Sequence, residues 1–138
     1  TDTRAYLDLG AVRDVAEVTV NGHRVGIVWT APFAADVTKH LKPGENTITI
    51  AVTNTWVNRM IGDEQIEPDV TYATDGSKFT IGRLAEFPSW FNDPAAVKNR
   101  KRIAFAMWKH WEKDSPLVES GLIGPVRVRF AKMVPLQP

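Results

Sequence analysis

The dipeptide Asn21-Gly22 lies between two runs of alternating apolar residues, and no other feature of the chain constrains its fold more. Before it, Ala16, Val18 and Val20 alternate with Glu17 and Thr19, the two-residue period of a half-buried strand. Asn-Gly tolerates the positive φ angles of a type I′ turn, so it reads as a hairpin tip. Arg24 to Trp29 is then the returning strand. Pro32 interrupts the pairing, Phe33 to Val37 forms another short extended segment, and Thr38 is placed to cap a helical turn over Lys39 to Leu41. Pro43-Gly44 reverses the chain. After it Ile48, Ile50 and Val52 face one way while Thr47, Thr49 and Thr53 face the other. The stretch from Ala16 to Asn54 therefore predicts an antiparallel sheet with one apolar face.

On its flanks, Tyr6 to Leu9 is predicted as a strand and Gly10 to Asp14 as a turn. Past Asn54 the pattern changes. Trp56 to Arg102 holds Gly62, Pro68, Gly76, Gly82, Pro88 and Pro94 with little sustained periodicity, and only Lys78 to Ile81 hints at a strand. Structureless stretches of that length are usually functional or packed on themselves. The aromatics Tyr72, Phe79, Phe87, Trp90 and Phe91 favour packing over disorder. Ile103, Phe105 and Met107 alternate with Ala104 and Ala106 as in a buried strand, although Ile103, Met107 and Trp111 also satisfy helical spacing. The strand is the preferred reading. Ser120 to Pro125 reads as a turn into a last strand where Val126, Val128 and Phe130 oppose Arg127 and Arg129. Short strands separated by turns predict an all-β fold, an antiparallel β-sandwich with a long irregular mid-chain region.

The 138 residues suit one domain, 1–138, with a single two-layer core. A net charge of +1 gives no long-range attraction to nucleic acid or an anionic membrane. The absence of cysteine excludes disulfides, thiolate metal sites and cysteine nucleophiles. No apolar run reaches the length of a membrane span. Strand-like residues begin almost at once, so the chain is expected to be a domain cut from something longer.

The run YLDLG (6–10), AEVTVNG (16–22), DVT (36–38) and LKPGENTITIAVTNTWVNRMIGD (41–63) resembles the galactose-binding-like, jelly-roll sugar-binding domains of glycoside hydrolases. It is similar to the sandwich domain of family 2 enzymes such as β-galactosidases and β-glucuronidases. WVNRMIGD (56–63) and SGLIGPV (120–126) bring it closer to the C-terminal domain of family 106 α-L-rhamnosidase-like enzymes. The likeness is good over residues 5–64 and 101–130 and poor over 66–100. It implies a non-catalytic carbohydrate-binding module attached to the catalytic domain of its own parent chain. It also implies a secreted or periplasmic setting. A purely structural accessory domain on a catalytic barrel is the alternative, and a glycosidase fragment active only in its full-length parent is a third. Fewer residues precede Tyr6 than those families normally carry, so an edge strand is expected to be open, which invites a dimer or strand exchange.

A glycosidase needs two carboxylates flanking the scissile bond. Asp63, Glu64, Glu67, Asp69, Glu86 and Asp93 are available, but loop charges and turn caps account for them, and the acids of the resembling families lie in a separate barrel. No catalytic residue is assigned. Sugar binding instead needs an aromatic platform with a few polar groups beside it. Five tryptophans exceed what such a core requires. Trp90 with Asn92 in the irregular loop is the first choice, followed by Trp56 with Asn58 and Arg59, then Trp29 and Trp111. Each has a packing explanation too: Trp56 and Arg59 could pin the loop to the sheet, and Trp108 and Trp111 cannot share a strand face. Lys98 to Arg102 is a basic run that would suit an anionic polysaccharide or serve as a solvated loop entry. His23, His40 and His110 lie far apart without ligand spacing, so no zinc site and no cofactor is expected. Related sandwich modules often hold a structural calcium, for which Asp63, Asp69 and Asp75 would be the donors, though their spacing forms no recognised loop.

Overall fold

A computed structural model describes residues 2–76 and 81–135. The strand expected over Lys78 to Ile81, and Phe79 within it, lie outside the described residues save for Ile81 itself. The chain divides into two compact units, Thr1–Thr55 with Glu119–Pro138, and Trp56–Val118.

The first unit is all β. It contains β1 (Thr3–Asp8), β2 (Ala11–Arg13), β3 (Val15–Val20), β4 (His23–Val28), β5 (Ala34–Asp36), β6 (Ile48–Thr53), β7 (Gly121–Gly124) and β8 (Arg127–Lys132). They form three antiparallel sheets, ordered β5-β1-β8, β2-β7 and β4-β3-β6. This is the strand-rich, antiparallel sandwich that the alternating pattern predicts. The hairpin forms where Asn21-Gly22 marks it. Asn21 and Gly22 have φ of 51° and 81°, as a type I′ tip requires.

The core follows the two-residue period. Ala16, Val18 and Val20 on β3 are fully buried, and so are Leu7 on β1, Leu9, Val12 on β2 and Val37. Ala5 and Ala35 complete the cluster, with Ile48, Ile50 and Val52 of β6 packed against it. Burying each large aliphatic side chain stabilises the fold by about 1.5–3 kcal/mol.

Two local expectations are corrected. Ala11 to Arg13, read as turn, is a strand, because Gly10 bends the chain with φ 66° and lays β2 against Gly121–Gly124, itself read as turn. The cap at Thr38 belongs to Asp36. Its Oδ1 accepts from the Thr38 amide at 3.0 Å and hydroxyl at 2.6 Å, which frees Thr38 Oγ1 to accept from the Ala5 amide of β1 at 2.9 Å. On β8, Val128 and Phe130 lie opposite the buried Leu7 and Ala5 and so share their face, yet both are exposed, Phe130 at 71%.

Candidate functional site

The second unit turns the long irregular region into short helices tied by polar side chains. WVNRMIGD folds as α1 (Val57–Asp63), with Trp56 at its N-cap. α2 (Pro94–Lys98) follows a 3-10 turn, Ser89–Asn92. Pro94 suits the first helical position because it has no amide to leave unpaired, and Asp93 caps the helix by accepting from Ala95 and Ala96.

The segment expected as a buried strand, 103–107, is neither strand nor helix. Its first two amides bond a side chain instead of a neighbouring strand. Asp63, 3% exposed, accepts from the Ile103 and Ala104 amides at 2.8 and 2.6 Å through Oδ2. Arg102, also buried, pairs with Glu64 at 2.8 Å and donates to the carbonyls of Ile66 and Glu67. These bonds hold 102–104 against the end of α1. Asn58 clips Val118 from both sides, donating to its carbonyl at 2.8 Å and accepting from its amide at 2.9 Å.

Trp90 stands on the 3-10 turn and is fixed from three directions. Its Nε1–H donates to the Asp69 carbonyl at 2.8 Å. The Arg100 guanidinium covers its ring 3.8 Å from the centroid, and Phe105 meets it edge-on at 5.4 Å. Arg100 is in turn held by Asp69 Oδ2 at 2.6 Å and the Ala104 carbonyl at 3.0 Å. Phe91 packs on Phe87, Trp90 and Phe105, which extends the aromatic cluster. Beside Trp90 runs an open groove of about 580 Å³, lined by Thr71, Ser89, Glu86, Pro68 and Pro88.

The other expected site residues are scattered. Asn92 shares the turn with Trp90 and is exposed. Trp56 is 61% exposed at the head of α1, while the Asn58 amide is spent on Val118 and Arg59 leans toward Asp63 at 3.5 Å. Trp111 and Trp108 together line a small cavity of about 30 Å³ with Asp69, Tyr72 and Phe105, a juxtaposition that the strand reading forbade. Trp29, in the first unit, is 71% exposed just past β4. Sequence reasoning missed Thr71, Ser89 and the Arg100 cover, and weighed Glu86 only as a catalytic carboxylate, because nothing local marks contacts between residues as far apart as Asp69 and Arg100.

The basic run is not a free clamp. Arg100 and Arg102 are consumed by Asp69 and Glu64, leaving Lys98 and Lys101 as its exposed members. The calcium donors do not fit an ion either. Asp63 Oδ2 is occupied by two amides and Asp69 Oδ2 by Arg100, and no group of three candidate ligands gathers among the described residues. Of the other candidate carboxylates, Glu64 is engaged by Arg102 and Asp93 by α2, whereas Glu86 lines the groove.

Fold and sequence together define a galactose-binding-like sandwich of glycoside hydrolases. The chain belongs to the glycosyl hydrolase 2 galactose-binding domain-like family, whose model matches residues 1–123. It is 41% identical over 128 residues to a Formosa agariphila protein named "Putative beta-glucuronidase", a match that covers 93% of this chain and 10% of that protein. It is similar to a solved rhamnosidase from Novosphingobium sp. PP1Y, with 35% identity and a TM-score of 0.66 over 94% of this chain and 9% of the other. The chain thus spans about a tenth of the relatives it matches. No helix among the described residues is long and apolar enough to cross a membrane.

Proposed function

We propose that this domain is a non-catalytic carbohydrate-binding module of a secreted or periplasmic, rhamnosidase-like glycoside hydrolase, and that it grips glycan in the groove beside Trp90. The observation that carries the reading is an indole already fixed by Asp69, Arg100 and Phe105 at the edge of an open groove lined by Thr71 and Ser89. Pyranose C–H faces pack on such rings, and pre-set aromatic rings lose little freedom on binding. Thr71 and Ser89 supply donors and acceptors for sugar hydroxyls. Because Glu86 lines the groove while Arg100 and Arg102 are neutralised by their partners, the site favours a neutral sugar over a uronate. Trp56, Arg59, Asn92, Trp29 and Trp111 remain secondary candidates for contact.

Tryptophan fluorescence titration with plant and bacterial oligosaccharides, neutral and uronate-containing, tests the reading. A response to a neutral glycan that weakens in Ser89→Ala and Trp90→Phe, both folded, supports it. No response to any glycan, with unretarded migration in polysaccharide gels, overturns it. Release of reducing sugar by the domain alone would overturn the non-catalytic assignment.

A second reading, a structural domain docked on the rest of its parent, is favoured by the open apolar face of β8. Val128 and Phe130 share a face with buried Leu7 and Ala5 but are themselves exposed. β8 is also an edge strand with a single pairing partner among the described strands, so pairing with a second copy is the other use of this surface. Light scattering of the isolated domain across concentration separates monomer from dimer.

A further inference from the structure

Two of the three histidines, far apart in sequence, are neighbours in the fold. His23 opens β4 directly after the Asn21-Gly22 tip, and His40 lies in the turn after β5, with its amide bonded to the Val37 carbonyl at 2.9 Å. Their ring centroids are 5.8 Å apart with planes inclined by 33°. That is a tilted ring pair, not a parallel stack.

The distance suits a shared ion. Two imidazoles bound through nitrogen at roughly 2.0–2.1 Å, at roughly tetrahedral to wider angles, hold their centroids roughly 5–6 Å apart. No hydrogen bond to a ring nitrogen of either histidine is found among the described residues. His23 is exposed and His40 half-buried, so an ion can approach from solvent.

The two backbones are also locked together. Asn21 donates through Nδ2 to the His40 carbonyl and to Asn46 Oδ1, each at 2.8 Å, and accepts from the Thr47 amide at 3.0 Å. One side chain at the hairpin tip therefore fixes the turn that carries His40, and binding need not order either segment.

We propose that His23 and His40 form a two-imidazole chelate for a late first-row divalent cation, the class that imidazole nitrogen prefers. Water fills the other coordination positions, since no set of three candidate ligands gathers among the described residues. Arg4, Asp36 and Lys39 line a cleft with His40; Arg4 and Asp36 pair with each other, so the Lys39 charge opposes the ion's and the site is a weak chelate rather than a closed structural centre.

Calorimetric titration of the tag-free domain with Ni²⁺ tests this, with proton NMR to locate the paramagnetic broadening. One equivalent should bind, and the broadening should centre on His23 and His40. Either His23→Gln or His40→Gln should weaken binding at least about tenfold. His110→Gln should leave it unchanged. Glutamine keeps polarity and size, and circular dichroism confirms that each variant is folded. Absence of Ni²⁺ binding, undiminished binding in the His23→Gln/His40→Gln double variant, or broadening centred on His110 would overturn the proposal.

Discussion

Arg100 sits over the Trp90 indole, 3.8 Å from the ring centroid, while the same guanidinium donates to Asp69 at 2.6 Å. Asp69 closes the triangle by accepting the Trp90 Nε1–H on its carbonyl. The aromatic at the groove is thus positioned by a charge pair from two distant segments, and each of the three residues depends on the other two.

Arg100→Ala removes the cation from a pair whose side chains are 10% and 25% exposed. It leaves the Asp69 carboxylate without its partner and uncovers the Trp90 ring. Loss of one member of a largely buried pair costs about 3 kcal/mol. Arg100→Lys restores the charge but not the planar cover, and should fall between the two. Urea denaturation of the three proteins checks the order, and equal stability of Arg100→Ala and the parent would refute it.

Asp63→Ala strips the acceptor from the Ile103 and Ala104 amides. Each unpaired amide in a buried setting costs about 1–3 kcal/mol. Asp63→Asn keeps one carbonyl oxygen for them and should cost less. Hydrogen exchange at amides 103 and 104 should accelerate in Asp63→Ala before that of the β3 amides, which lie in the other unit.

These two sites show where the sequence was readable. Residues 16–54 follow rules that operate between neighbours: period-two burial in β3, positive φ at Asn21-Gly22, reversal at Pro43-Gly44. Their outcome needed no distant partner. Residues 56–118 obey pairings such as Asp63 with 103–104 or Asn58 with Val118, which leave no periodic trace. The apolar alternation at 103–107 looked like a strand because side chains alternate there, but a strand also needs a partner backbone, and Asp63 took that place. The Trp90 position was legible as an aromatic in an irregular loop. Its Arg100 cover was not, since a basic run reads the same whether solvated or paired.

Gly10→Ala should destabilise the first unit for two separate reasons. The residue has φ +66°, where an added Cβ is strained, and that Cβ would run into the Gly124 carbonyl at the start of the β2-β7 pairing. Backbone in the way cannot rotate aside as a side chain would. A loss of about 1–2 kcal/mol from the conformation alone is a lower bound. Gly22→Ala, at φ +81° with open space around it, carries only the conformational cost, so Gly10→Ala should lower the melting temperature more. The reverse order would refute the steric part.

Asp36 gives the first unit an acid-sensitive joint. Bonds from the Thr38 hydroxyl and amide, helped by Arg4, hold its carboxyl at about 2. In the unfolded chain the same group titrates near its ordinary value of about 3.9. The folded value is the lower one, so folding is favoured where Asp36 is ionised. That contribution is complete above about pH 4 and is lost as pH falls through about 2. Asp36→Asn should therefore be less stable than the parent at neutral pH, and the gap should narrow as acid is added. Because Thr38 also accepts from the Ala5 amide, losing the carboxylate loosens the register of β5 on β1. Chemical denaturation of both proteins at pH 7, 4 and 2 checks the sign, and a gap that widens toward pH 2 would refute it.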